Sequence, residues 1–270
     1  MTQTDWDDAY ENGAYIAGAA DYPQAWAERA AAFRQDLVGR GKLDLDIAYG
    51  DHPREKLDLF LPDAAPRGLV VFVHGGYWKA FDKSYWSHFA AGALAREYAV
   101  AMPSYVLTPE ARIGQITRQV AVAIDKAAGR IAGPIHLAGH SAGGHLVTRM
   151  LCSDMQWSAC FKERIARVVS ISGLHDLRPL LNTRMNDILS LDAAEAAAES
   201  AILHRDVLPV PVVAWVGGEE RPAFLDQARW LARDWDNARS VIDPGKHHFD
   251  VIDGLLFANS PLMTALFAAD

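Results

Sequence analysis

Short apolar runs separated by amphipathic stretches divide the chain from about residue 40 onward. Gly68-Leu69-Val70-Val71-Phe72-Val73 is a near-continuous apolar run, as expected of a central parallel strand covered on both faces. Ile135-His136-Leu137-Ala138 and Val210-Pro211-Val212-Val213-Ala214-Trp215-Val216 have the same character, and Ser240-Val241-Ile242 predicts a shorter strand. Lys56-Leu57-Asp58-Leu59-Phe60-Leu61 alternates instead, which is the signature of an antiparallel edge strand, with residues 43–49 as its expected partner. Helices are predicted over 84–97 and 112–130, strands over 98–102, 134–138 and 166–171, and an amphipathic helix directly after His248. This alternation calls for right-handed crossovers and a mostly parallel sheet with helices on both faces.

Two segments fall outside the alternation. Residues 1–40 carry no strand signal and include the alanine-rich run Tyr22-Pro23-Gln24-Ala25-Trp26-Ala27-Glu28-Arg29-Ala30, a helix opened by proline and closed near Gly39 to Gly41. This extension is expected either over the mouth of a site as a partial cap or at an oligomer contact, such as a homodimer. Residues 173–206 form an irregular insert that holds Arg178, Arg184 and a helical run from Asp192 to Ala201. No repeat or low-complexity linker interrupts the chain, so residues 1–270 are expected to form a single domain.

Candidate chemistry sits at the ends of the predicted strands. Gly139-His140-Ser141-Ala142-Gly143 follows one apolar run and opens a helix, the strand-turn-helix context of a nucleophile elbow in an α/β-hydrolase fold. A side chain at 139 or 143 is expected to collide with the neighbouring strand or helix, which leaves Ser141 on a strained turn and displayed to a ligand. The strand 68–73 ends in His74-Gly75-Gly76-Tyr77-Trp78, where an oxyanion hole belongs. Its donors are expected to be the backbone N–H groups of Gly76, Tyr77 and Ala142. An acid and a base should follow in the order serine, acid, histidine. Glu219 and Glu220 compete for the first role after the strand ending at Val216, and His247 and His248 compete for the second.

These residues resemble the kynurenine formamidase (arylformamidase) branch of the α/β-hydrolases, whose signature is a His-Gly-Gly-x-Trp loop, here His74 to Trp78. The resemblance runs from about Tyr10 to Leu256 and includes Gly139 to Leu146, Ser172-Gly173 with Asp176-Leu177, and Pro222 with Phe224. The branch's acid-x-Pro-x-Phe pattern falls on Glu220 to Phe224 and its His-Phe-Asp pattern on His248 to Asp250, which selects Glu220 and His248. Glutamate stands where many members carry aspartate, and His175 stands where relatives often carry an aromatic. The resemblance implies a Ser141, Glu220, His248 triad that hydrolyses an aryl formamide such as N-formyl-kynurenine to formate and amine. It also gives the insert a share of the pocket, with Gly75, Tyr77, Trp78 and His175 as substrate-binding residues. A short-chain carboxylesterase or thioesterase would use the same triad, and a non-catalytic binding protein on this fold is the remote alternative.

Aromatics gather after the oxyanion loop at Tyr77, Trp78, Phe81, Tyr85, Trp86 and Phe89. Trp86 and Phe89, three apart, are expected to face the core, and Tyr77 and Trp78 to face the pocket. His74, His136 and His145 are expected to be structural. The chain has 270 residues, of which 50% are hydrophobic and 22% charged, which is a globular composition. A formal net charge of −8 argues against nucleic acid or an anionic membrane as partner and leaves a small-molecule substrate. Cys152 and Cys160 match neither a redox nor a zinc spacing and are expected to be reduced. The triad requires no metal and no cofactor. An acidic Met1 to Asp8 without an apolar core to a signal peptide, and no apolar stretch near the roughly 20 residues of a membrane span, lead to a cytoplasmic expectation.

Overall fold

A computed structural model describes residues 5–156, 158 and 163–268. Cys160 and Trp157 lie outside the described residues, while Cys152 is buried. Eight strands form one sheet: β1 Leu43–Ala48, β2 Lys56–Phe60, β3 Leu69–Val73, β4 Ala99–Pro103, β5 Ile135–His140, β6 Ile165–Ile171, β7 Val212–Gly217 and β8 Ala238–Asp243. Their order is β1-β2-β4-β3-β5-β6-β7-β8. The β1/β2 and β2/β4 pairs are antiparallel and all later pairs are parallel, so the fold is the mostly parallel α/β arrangement that the sequence predicts.

Both faces of the sheet are covered, and β3 shows why its run is continuously apolar. Leu69, Val71 and Val73 join one core with the helices Ile113–Ala128, Ala142–Arg149 and Pro222–Asp234. Val70 and Phe72 join the opposite core with Trp26 and Leu37 of the helix Tyr22–Gly39 and Leu262, Met263 and Leu266 of the helix Pro261–Phe267. With period-2 side chains and two dry faces, every position must be apolar, and each fully buried aliphatic side chain contributes about 1.5–3 kcal/mol.

Three expectations change. The strand Lys56–Phe60 pairs as predicted with Leu43–Ala48, yet the edge is β1; β2 lies between β1 and β4, which buries Leu57, Leu59 and Phe60. The helix expected over 84–97 is instead two 3₁₀ turns, Lys83–Tyr85 and Ser87–Ala90, leading into a short helix Ala91–Leu94. A 3₁₀ turn stacks residues i and i+3, which puts Trp86 and Phe89 on one face. The helix Pro222–Asp234, not predicted, buries Phe224, Gln227, Ala228 and Leu231 at i, i+3, i+4 and i+7. Among the described residues no helix is long and apolar enough to cross a membrane.

Histidines occupy the interior as neutral groups. Burial lowers His74 to about 4 and His145 and His175 to about 3, from an ordinary value of 6.5. An unfolded histidine gains its proton near pH 6.5, whereas these stay neutral until about pH 3 to 4. The unfolded state therefore binds more protons throughout that window, so stability is unaffected above about pH 7.5 and falls with acid below it. Each such group is expected to withdraw about 2 kcal/mol by pH 5. Urea midpoints at pH 8.5, 7.5 and 5.0 check this: the first two should agree, the third should drop sharply, and an unchanged midpoint at pH 5.0 would contradict neutral burial.

Candidate active site

Ser141 lies between β5 and the helix Ala142–Arg149 with φ 54° and ψ −116°, a conformation that costs a non-glycine residue of order 1–3 kcal/mol. The surroundings hold it there. The Ser141 N–H donates to the Ile171 carbonyl at 2.8 Å, and the Ser141 carbonyl accepts the His145 N–H at 3.1 Å. A Cβ at Gly139 would overlap the Gly143 carbonyl, and one at Gly143 would overlap the Val73 carbonyl of β3, so the chain passes only if both are glycine. Ser141 is 2% exposed, in contrast to the displayed serine expected from the turn alone. It forms part of the wall of a cavity of about 990 Å³ whose other side is built from the N-terminal extension, including Tyr10, Glu11, Pro23 and Trp26. The insert adds Thr183, Arg184, Met185 and Ile188 to the same cavity.

In the same cavity lining, His248 follows β8 and is 4% exposed. Its Nδ1 lies 2.6 Å from Oε2 of Glu220, which follows β7. A carboxylate only accepts hydrogen bonds, so Nδ1 carries the proton and Nε2 is left with its lone pair, the tautomer a general base needs. The other oxygen of Glu220 accepts the Gly217 N–H at 2.8 Å and the Ser172 hydroxyl at 2.5 Å. The competing residues are engaged elsewhere: Glu219 is exposed, and His247 accepts the Phe249 N–H at Nδ1 while its Nε2 meets the Tyr22 hydroxyl at 3.2 Å. His140 donates from Nε2 to the His248 carbonyl at 2.8 Å, tying the nucleophile turn to the histidine loop. Burial, with the neighbouring His248 second, holds His140 well below its ordinary value and therefore neutral.

The loop after β3 passes against the elbow. A Cβ on Gly75 would lie 3.1 Å from Ser141 Cβ, so Gly75 backs onto the turn, while Gly76 and Tyr77 line the cavity. Gly76 has φ 106°, and Tyr77 and Trp78 follow with φ 48° and 55°, a left-handed run that turns the chain sharply. Ala142 begins the elbow helix and is fully buried. His74 is braced as expected, with Nδ1 2.7 Å from the Gly75 carbonyl oxygen and its ring stacked on Tyr105 at 4.3 Å.

Three expected substrate contacts are corrected. Gly75 lies outside the cavity lining for the reason just given. Trp78 is fully buried in the core with its ring edge-on to His145 at 5.1 Å, because the left-handed turn swings it beneath the loop. His175 is also fully buried, its Nε2 3.3 Å from the Ser170 hydroxyl and its N–H donated to Gln227. Trp86 packs in the core with Phe89, as expected, and also contributes to the cavity wall beside Phe81 and Phe249. Ser172, which bonds Glu220, and His140, which bonds the His248 carbonyl, were not among the expected site residues, although both stand within stretches of the resemblance, Ser172-Gly173 and Gly139 to Leu146.

Among the described residues one cluster has metal-ligand spacing: Cys152, Asp154 and His204, outside the cavity lining. The Arg149 guanidinium already pairs with Asp154 at 2.6 Å and lies 3.2 Å from His204 Nε2, which sets a positive charge where a cation would sit.

A profile of the alpha/beta hydrolase family matches residues 70–266. Kynurenine formamidase of Danio rerio is 27% identical over 248 residues, covering 86% of this chain and 81% of that protein. The Drosophila melanogaster enzyme of the same name is 26% identical, covering 80% and 74%. A crystal structure from Silicibacter sp. that carries a provisional thioesterase assignment is 54% identical with TM-score 0.95, covering 98% of this chain and all of that one. With the sheet order, the elbow and these matches together, the chain belongs to the alpha/beta hydrolase family and resembles the kynurenine formamidases along most of its length.

Proposed function

We propose that the protein is a serine hydrolase that cleaves an aryl formamide such as N-formyl-kynurenine to formate and the free amine. The 2.6 Å hydrogen bond between Glu220 and His248, at a cavity that also contains Ser141, carries this reading. Nε2 of His248 takes the Ser141 proton as Oγ attacks the formyl carbon, and Glu220 stabilises the imidazolium that results. The oxyanion is met by the N–H groups of Gly76, Tyr77 and Ala142, each worth roughly 3 kcal/mol of barrier. His248 then protonates the departing amine, and water, activated by the same histidine, releases formate from Ser141. A formyl group needs little acyl-side room, and the aromatic wall of Trp26, Phe81, Trp86 and Phe249 suits an aryl leaving group.

A second reading, hydrolysis of a short-chain ester or thioester by the same residues, is supported by the 54% identity to the Silicibacter protein. The two readings share an acyl-enzyme and differ in the leaving group. The kcat/KM for N-formyl-kynurenine, for p-nitrophenyl acetate and for acetyl-CoA, each with Ser141→Ala as blank, separates them. A preference for the formamide by several orders of magnitude supports the first reading, and ester or thioester turnover without formamide hydrolysis selects the second.

Ser141→Ala is expected to lower kcat by at least about a thousandfold, because the triad acts as a unit, with far-ultraviolet circular dichroism unchanged. Residual activity near wild type would put the nucleophile elsewhere. Glu220→Gln should impair turnover by about a hundredfold or more while Glu219→Gln stays within about twofold, since only Glu220 reaches His248. Steady-state kinetics of the pair decides the assignment, and equal effects would reject it.

A further inference from the structure

The N-terminal extension does more than roof the cavity. Tyr10 is 3% exposed, and its backbone carbonyl accepts the hydroxyl of Tyr77 at 2.6 Å. Asn12, also buried, lies beside the same hydroxyl. Tyr77 is the residue at φ 48° whose N–H is assigned above to the oxyanion hole. A left-handed non-glycine residue persists only where its surroundings over-determine it: the Thr108 N–H holds the Trp78 carbonyl at 2.9 Å, and at Tyr77 itself the side-chain hydrogen bond ties the turn to the extension.

Tyr10 is in turn held rigidly. Its hydroxyl accepts from Gln227 Nε2 at 3.1 Å. Gln227 is fully buried and fully used: Nε2 also donates to the Asp176 carbonyl at 2.8 Å, and Oε1 accepts the N–H groups of His175 and Asp176 at 2.7 and 2.8 Å. An amide with all four bonds made cannot swing. The Tyr10 ring packs edge-on to Phe224 at 5.9 Å, and Phe224 lies 4.5 Å from the His248 ring. One residue of the extension thus braces the oxyanion loop directly and packs, through Phe224, against the support of the base.

We propose that Tyr10 is a positioning residue for the oxyanion hole: anchored by Gln227 and Phe224, it presents its carbonyl to the Tyr77 hydroxyl and so fixes the left-handed turn from which the Gly76 and Tyr77 N–H groups point. This rests on the acyl-transfer reading above. It makes residues 5–13 part of the catalytic apparatus, acting on the transition state and not on substrate affinity, because the oxyanion forms only after attack.

Tyr77→Phe removes the hydroxyl and keeps the ring. With p-nitrophenyl acetate its kcat is expected to fall about 10- to 100-fold with KM within about twofold of wild type. Affinity for an aryl trifluoromethyl ketone, whose adduct places an oxyanion in the hole, should fall by the same factor. Tyr10→Phe keeps the carbonyl but releases Gln227, and a several-fold loss with the same kcat-only split is expected; it decides the matter alone if Tyr77→Phe does not fold. An unchanged kcat, or a loss confined to KM, overturns the positioning role. Labelling of wild-type Ser141 by a fluorophosphonate and its turnover of the ester are measured alongside. If wild type is labelled and active but Tyr77→Phe matches it, the positioning role alone falls, whereas an unlabelled and inactive wild type overturns the acyl-transfer reading and this proposal with it.

Discussion

No side chain fits between Gly143 and the carbonyl of Val73, and the site depends on that closeness. Because the elbow helix begins in contact with β3, the end of β5 must reverse over a single residue, and Ser141 absorbs the reversal in a conformation that serine ordinarily avoids. The same contact brings the loop after β3 against the elbow, where Gly75 meets Ser141 and Gly76 and Tyr77 come to the cavity. A larger residue at 143 would separate the strand from the helix and, with them, Ser141 from the loop that carries Gly76 and Tyr77.

Desolvation sets the electrostatics around this point. His74, His140, His145 and His175 are buried neutral, so none adds a positive charge that would compete for the Glu220 carboxylate. That carboxylate is not left bare, since the Gly217 N–H, the Ser172 hydroxyl and His248 Nδ1 all donate to it. A buried charge with several donors is tolerable, whereas one without them would protonate instead. Glutamate in place of the shorter aspartate is accommodated because its two oxygens divide the work: one faces the backbone and Ser172, the other the histidine.

The cavity is a joint product of three distant stretches. The sheet supplies the reactive groups, the insert supplies Thr183 to Ile188, and the extension supplies Tyr10 through Trp26. An ion pair between Asp7 and Arg184 ties the extension to the insert, and a second joins Asp8 of the extension to Arg221, next to Glu220. The Asp7–Arg184 pair is largely exposed, so its contribution is small and salt-sensitive, whereas Asp8–Arg221 is half-buried, and the buried Tyr10 with its hydrogen bonds is the firmer attachment. Such a cavity owes its shape to packing among segments that are far apart in sequence, which is where a hydrolase of this family acquires its substrate preference.

The sequence by itself determined the strands, their mostly parallel pairing and the order of the chemical groups, because periodicity, glycine at a tight turn and strand-end position are local properties. Gly139, Ser141 and Gly143 were legible for that reason. Glu220 against Glu219 and His248 against His247 were separated at that level only by resemblance, since adjacent residues in a loop have no local difference in chemistry; tertiary structure shows Glu220 and His248 in contact and the other two turned away. The fates of Trp78 and His175 were decided by tertiary structure alone. A left-handed turn at Tyr77 and Trp78 departs from the faces that a regular element would present, so an aromatic expected at the pocket enters the core. Tyr10 belongs to the same class: its role arises from a carbonyl meeting a hydroxyl 67 residues away, a contact that no local pattern encodes.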